Sequence, residues 1–299
     1  MSRQNKTSLT IVILSYNVSG LLKNCLASVY KTKKKSDAWQ VIVVDNASED
    51  DSVLMVKSEF PQVTLMVNSK NLGFSGGNNV ALRTIKSEYT LLLNPDTVVY
   101  PNSIDRVLEY MTLNPTVGAA TCRVELPDGS LDYSCHRKFP DPWNTFIYFF
   151  TGLAKKSGYS YTDIPPGIHE IDSLTGAFAL IRTAVGKSLN WLDEDYYWNG
   201  EDLDFCFRLK KSGHKVIYIP DVKITHYKGS SSGIWKTGQY QKSLGQKIKS
   251  VDAGINAMRI FYDKHLARNY PPPFNWFIYT GMFVLRIIRY VKIIVIGSK

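Results

Sequence analysis

Three short stretches hold the side chains best suited to chemistry. Asn94-Pro95-Asp96 follows the apolar run Leu91-Leu92-Leu93, so a carboxylate stands where proline stops a buried segment. Glu201, Asp202 and Asp204 crowd together behind the aromatic approach Tyr196-Tyr197-Trp198-Asn199-Gly200. His226 opens a stretch of glycine and serine read as a loop carrying one potential ligand. Carboxylate oxygens suit a hard divalent cation or the removal of a proton, and imidazole suits either task. Each stretch also has a plain structural reading. Asn, Pro and Asp are turn residues, acids in a first helical turn are favoured by the macrodipole, and Asp204 with Arg208 makes an i,i+4 pair.

What would position these groups is visible in the first hundred residues. Short apolar runs at 9–15, 40–45, 63–67 and 89–94 alternate with helical stretches. Runs of five or six apolar residues without alternation read as strands buried on both faces, and helices between them make parallel crossovers. The expected class is α/β, a doubly wound Rossmann-like sheet, which binds ligands outside the carboxyl ends of its strands. The polar strand ends are therefore candidates: Ser15, Tyr16 and Asn17; Asp45-Asn46-Ala47-Ser48; Asn68 through Phe74; and Asn94 with Asp96. Any one of them is most simply a cap or a turn. Four together define a rim.

Other nucleotide motifs are excluded by spacing. Gly186-Lys187-Ser188 has Ile181 where a phosphate loop needs its first glycine, and Gly73, Gly76 and Gly77 follow the third strand in the wrong pattern for a dinucleotide fold. Four single cysteines predict neither a disulfide framework nor a zinc cluster, and suit a reducing compartment. The polar start runs into an apolar segment too short for a signal peptide, so a cytoplasmic protein is expected. Between 117 and 175 the pattern is less regular, with a dense aromatic stretch at 140–153 beside Lys155-Lys156 that suits either core or contact with lipid.

The ordered set of Asp45-Asn46-Ala47-Ser48, Asn68 to Phe74 with Gly77-Asn78-Asn79, Asn94-Pro95-Asp96, Thr175-Gly176-Ala177-Phe178, Gly200 to Arg208 and His226 resembles the family 2 glycosyltransferases, in particular their bacterial rhamnosyltransferase-like branch. The resemblance covers about 9–232 and implies a GT-A fold, a nucleoside diphosphate sugar donor (dTDP- or UDP-linked), a divalent metal (Mg²⁺ or Mn²⁺) and transfer with inversion. It implies that Asp45 holds the base or ribose with Ser15, Tyr16 and Asn17 beside it. Asn71, Gly73 and Asn78 would line the nucleotide side, with Asn94 and Gly176 completing the donor site. Asp96 takes the metal-binding role, with His226 as a further ligand. Asn94 departs from the pattern, since an acid is commoner there. Asp202 would be the catalytic base, with Glu201 as acceptor-orienting group or alternative base. The acceptor would be a glycan hydroxyl, carried on a polyprenyl diphosphate.

The last third differs in charge. Of the net charge of +10, all and more lies beyond residue 204, where 17 Lys and Arg face three acids. Two domains are expected, a catalytic one over 1–235 with its nucleotide-sugar half about 1–115 and its acceptor half about 116–235, then a basic helical region over 236–299. Within it, 274–297 is too interrupted by cations to span a bilayer. Arg286, Arg289 and Lys292 recur every three residues, which predicts an amphipathic helix lying in an anionic membrane surface at the inner face of the membrane. A helix packed on the catalytic domain or in a homodimer is the other reading. No nucleic-acid partner is expected of such an enzyme. The competing readings are a nucleotidyltransferase, which lacks its basic Gly-rich signature here, and an inactive sugar-nucleotide fold serving as a membrane- or nucleic-acid-binding module.

Overall fold

The computed structural model describes residues 8–34, 38–150, 164–227 and 244–296. Lys155-Lys156 and the residues just after Tyr227 lie outside them. The apolar runs form β1 (Leu9–Ser15), β2 (Trp39–Asp45), β3 (Thr64–Val67) and β4 (Tyr89–Leu93), separated by α1 (Ser19–Thr32), α2 (Ser52–Glu59) and α3 (Gly73–Leu82). These four strands are parallel, in the order β3-β2-β1-β4. Leu22, Leu26 and Val29 of α1 are fully buried, as are Ile11 and Ile13 of β1. Each such side chain contributes about 1.5–3 kcal/mol by leaving water. β3, at the sheet edge, has no buried position, whereas β2 is exposed at Gln40 alone, so the alternation-free pattern breaks at the edge.

Beyond β4 the sheet becomes mixed. There follow β5 (Thr97–Val99), α4 (Ser103–Leu113), β6 (Val117–Glu125), α5 (Pro142–Phe150), β7 (His169–Ile171), β8 (Phe178–Arg182), α6 (Thr183–Ser188), α7 (Glu201–Lys211) and β9 (Lys215–His226). The order continues β4-β8-β6-β9-β5, with β8 antiparallel to both neighbours and β7 on β9. The apolar run from Lys215 reads as a short strand ending at Ile219, before Pro220. It runs on to His226 because the β6–β9 register jumps between Cys122 and Arg123, a bulge that takes up Pro220, which has no N–H to give the ladder. His226 is therefore a strand-end residue rather than a loop residue, paired in register with Thr97.

Two further helices, α8 (Leu244–Phe261) and α9 (Pro272–Ile296), close the described chain. A small second core of Tyr196, Leu203, Ala257 and Phe261 joins α8 to the start of α7. Asp252 of α8 holds Arg286 and Tyr290 of α9. This corrects the expected cation stripe: Arg286 faces α8, while Trp276, Phe283, Ile287, Val291 and Ile294 are exposed. No helix among the described residues is long and apolar enough to cross a membrane.

Candidate active site

A cleft of about 1340 Å³ opens at the carboxyl rim of the parallel strands and is walled on its far side by the start of α7 and by α8. It brings together Tyr16, Asn71, Gly73, Asn94, Asp96, Gly176, Glu201, Asp202 and His226. The other four expected donor residues lie outside its lining. Ser15 is fully buried, and Asn78 turns its amide onto the Phe74 carbonyl at 2.9 Å. Asn17 and Asp45 lace the first two strand ends together: Asn17 N donates to Ser48 Oγ at 2.9 Å and Ser48 N to Asp45 Oδ1 at 2.9 Å. Asp45 Oδ2 stays buried without a hydrogen bond.

Asn46, a strand-end candidate to which the sequence reading assigns no role, organises this floor. Its amide donates to Asn71 Oδ1 at 2.9 Å and to the Gly73 carbonyl at 3.1 Å, and its oxygen accepts from Asn68 Nδ2 and Leu72 N. Gly73 has φ +74, and a Cβ there would sit 2.5 Å from the Tyr197 carbonyl oxygen. Only glycine lets the two segments close, and Phe74 N then donates to that oxygen at 2.8 Å. The one sequence signal for Asn46 was its place next to Asp45 at a strand end.

Asp96 follows β4 and is held beside His226 by the Thr97–His226 register. His226 Nε2 is 3.3 Å from Asp96 Oδ1, Nδ1 is 3.1 Å from Asp132 Oδ2, and Asn94 Nδ2 is 3.4 Å from Nε2. Burial opposes the imidazolium, but the hydrogen bonds and charges of Asp132 and Asp96 outweigh it and raise His226 to about 9. Asp132 has no periodic signature and was not expected.

Would these residues suit a divalent cation? Asp96 Oδ1 is buried with the His226 imidazole at 3.3 Å as its neighbour and the Asn94 amide close by, a donor set that fits Mg²⁺ or Mn²⁺. Among the described residues no three His, Cys, Asp or Glu form a complete set, so oxygens of a bound diphosphate would have to complete the shell.

Across the cleft, Gly200 with φ +93 starts α7 and places Glu201, Asp202 and Asp204 in its first turn. The three acids have three environments. Asp204 is fully buried between Arg208 Nε at 2.7 Å and His265 Nε2 at 2.6 Å, so its work is structural. Asp202 Oδ2 accepts from Arg137 Nη2 at 2.7 Å. Glu201 is buried, its Oε2 makes no hydrogen bond, and burial together with the Asp202 charge pushes its carboxyl well above the usual carboxylate range. Arg137 was also unforeseen. It pairs with Ser173 through a lone antiparallel bridge in the irregular middle segment, where no hydrophobic period marks it.

A mixed sheet with a carboxylate, an imidazole and two further acids meeting at its rim is the architecture of a sugar-nucleotide-dependent transferase. The profile of the Glycosyl transferase family 2 matches residues 10–167, and the chain belongs to that family. It is a glycosyltransferase of GT-A fold. The N-acetylglucosaminyl-diphospho-decaprenol L-rhamnosyltransferase of Mycobacterium tuberculosis is 25% identical over 241 residues, 75% of this chain and 78% of that one. The rhamnosyltransferase WbbL of Escherichia coli is 27% identical over 272 residues, covering 86% and 96%. Among solved structures, the mannosyltransferase PcManGT from Pyrobaculum calidifontis in complex with GDP-Man and Mn²⁺ superposes with a TM-score of 0.58 at 17% identity, over 98% of this chain and 75% of that one. GalNAc-T7 with UDP, GalNAc and Mn²⁺ gives 0.61 at 14% identity, over 86% and 48%.

Proposed function

We propose that the chain moves rhamnose or a similar hexose, with inversion, from a dTDP- or UDP-linked donor to a hydroxyl of a glycan carried on a polyprenyl diphosphate. The observation that carries this reading is that Asp96 with His226 on one side, and Asp202 with Glu201 on the other, line a single cleft. The names of the two rhamnosyltransferase relatives support the sugar, and that of the mycobacterial relative the lipid carrier.

The two sides divide the work. The donor's nucleotide lies along Tyr16, Asn71 and Gly73, over the floor that Asp45, Ser15 and Asn17 stiffen. Asp96 and His226, with Asn94, would hold the divalent cation, which when bound offsets charge on the departing diphosphate. His226 must then give up its Nε2 proton, while Nδ1 stays oriented by Asp132. Asp202 accepts the acceptor's hydroxyl proton as that oxygen attacks the anomeric carbon from the face opposite the leaving group. Its pairing with Arg137 supports this choice, since a base must be ionised. Glu201, biased toward its protonated form, serves as a hydrogen-bond donor that orients the acceptor.

In this reading the catalytic domain takes in about 1–235, with its acceptor half from about 116, and the basic helical region from 236 on faces the membrane. The exposed apolar face of α9 supports peripheral attachment at the cytoplasmic face of a membrane. The inactive-module alternative gives Asp202 no task.

The test is a panel of dTDP- and UDP-sugars with and without Mg²⁺ or Mn²⁺, using the wild type, Asp96→Ala and Asp202→Asn. One donor should bind in a metal-dependent way that Asp96→Ala abolishes, while Asp202→Asn binds it without turnover. Binding of no nucleotide sugar would sink the reading.

A further inference from the structure

A second, apolar cavity of about 390 Å³ lies between α5, α8 and α9. Its walls include Phe146 of α5, Met258 of α8, and Ile278 and Met282 of α9. Glycine stands at two of its wall positions. A Cβ at Gly281 would meet nothing within 4 Å, and one at Gly254 would meet only the Arg289 guanidinium at 3.6 Å. Larger side chains would fit at both, so backbone packing does not demand glycine there.

The cavity adjoins the catalytic cleft. Arg137, Asn199, Gly200 and Ala257 line both, and Arg137 is the residue bonded to the proposed base. An acceptor whose sugar hydroxyl reaches Asp202 therefore has an apolar recess within reach of its other end. Lys249 of α8 lines the neighbouring cleft wall and has no ion pair among the described residues, which suits an anionic linker between sugar and tail. The outer face of the same α9 is apolar and exposed, so the recess sits beside a surface compatible with lipid.

We infer that this cavity is the subsite for the lipid chain of the acceptor, taking the isoprenoid units nearest the diphosphate while the remainder of the chain stays in the bilayer. The inference rests on the lipid-linked acceptor proposed above and adds the place where the lipid is held. The volume falls at the lower end of ligand pockets, roughly 300–1,000 Å³, so it admits only the first part of a long chain.

The test uses farnesyl diphosphate as the probe, with inorganic diphosphate as the tail-less control, on the full chain. Gly281→Phe and Gly254→Leu fill the cavity from opposite walls, and the double variant Ile287→Ser with Ile294→Ser alters only the exposed face of α9. Nucleotide-sugar binding and thermal unfolding are followed in parallel to report folding and the donor site. The wild type should bind farnesyl diphosphate at least tenfold more tightly than inorganic diphosphate, each filling variant should lose that advantage, and the surface variant should keep it. Equal binding of the two probes by the wild type, or an advantage untouched by both filling variants, would overturn the subsite. So would loss of binding to phosphatidylglycerol vesicles in the filling variants with farnesyl diphosphate binding intact, which would make the recess a membrane acyl-chain site. Failure of the donor reading looks different, since it is the loss of nucleotide-sugar binding in the wild type.

Discussion

Arg137 Nη2 donates to Asp202 Oδ2 at 2.7 Å and also to the Leu174 carbonyl at 2.7 Å, so one guanidinium fixes the carboxylate relative to the middle segment. Lysine ends in a compact ammonium on a flexible stem and does not put a nitrogen where the planar guanidinium holds Nη2. Arg137→Lys should lower kcat on the order of 10²-fold, the scale of a misplaced reacting group, with donor affinity unchanged. Steady-state kinetics beside donor titration would check this; a change in donor affinity alone would remove Arg137 from the acceptor side.

The two neighbouring acids should separate cleanly on mutation. Glu201→Gln keeps a neutral donor in place and should retain kcat within a few-fold, whereas Asp202→Asn should lose about 10²–10⁴-fold, the usual worth of a general base. The reverse pattern in a side-by-side kcat measurement would exchange their roles.

Gly73→Ala tests the closure of the cleft floor. The left-handed φ of +74 and the 2.5 Å approach to the Tyr197 oxygen both penalise a Cβ. We expect about 1–3 kcal/mol of lost stability in urea unfolding and weaker donor binding, because Tyr197 must retreat. An unchanged midpoint would mean that the contact yields without cost.

A buried histidine, His136, paired with the half-buried His169 outside the cleft lining, predicts an acid-side loss of stability. His136 Nε2 lies 2.6 Å from His169 Nε2, and burial, then the neighbouring imidazole, lowers His136 from 6.5 to about 4. Between those values the unfolded chain binds the proton and the native one does not. Stability is therefore complete above about 6.5 and falls as the pH drops toward about 4, by on the order of 2 kcal/mol. His136→Gln should flatten that slope in unfolding experiments run at stepped pH.

The parallel half of the fold was legible because its strands are buried on both faces and write themselves as unbroken apolar runs, from Leu9 to Leu93. The rim followed, since the polar ends of parallel strands fall along one edge of the sheet. The remainder escaped for particular reasons. β9 crosses Pro220 through a bulge, which reads as a stop. Arg137 and Asp132 sit in irregular backbone, where position depends on distant partners such as Ser173 and His226. Arg286 looked like a surface cation because its partner, Asp252, is 34 residues away on another helix.

The cleft's two sides come from separate stretches of chain. Its floor belongs to the sheet, while α8 is fastened over it by Lys264 on Asp195 at 2.6 Å and His265 on Asp204 at 2.6 Å. On the proposed reading, part of the acceptor wall, from Lys249 to Asp263, is encoded far from the donor floor, and substitutions beyond residue 244 would alter that wall while leaving Asp96, Asp202 and Arg137 in place. A lineage diversifying its glycans would have in this tail an exchangeable cassette, and chimaeras joined between β9 and α8 are the natural way to build new acceptor preferences.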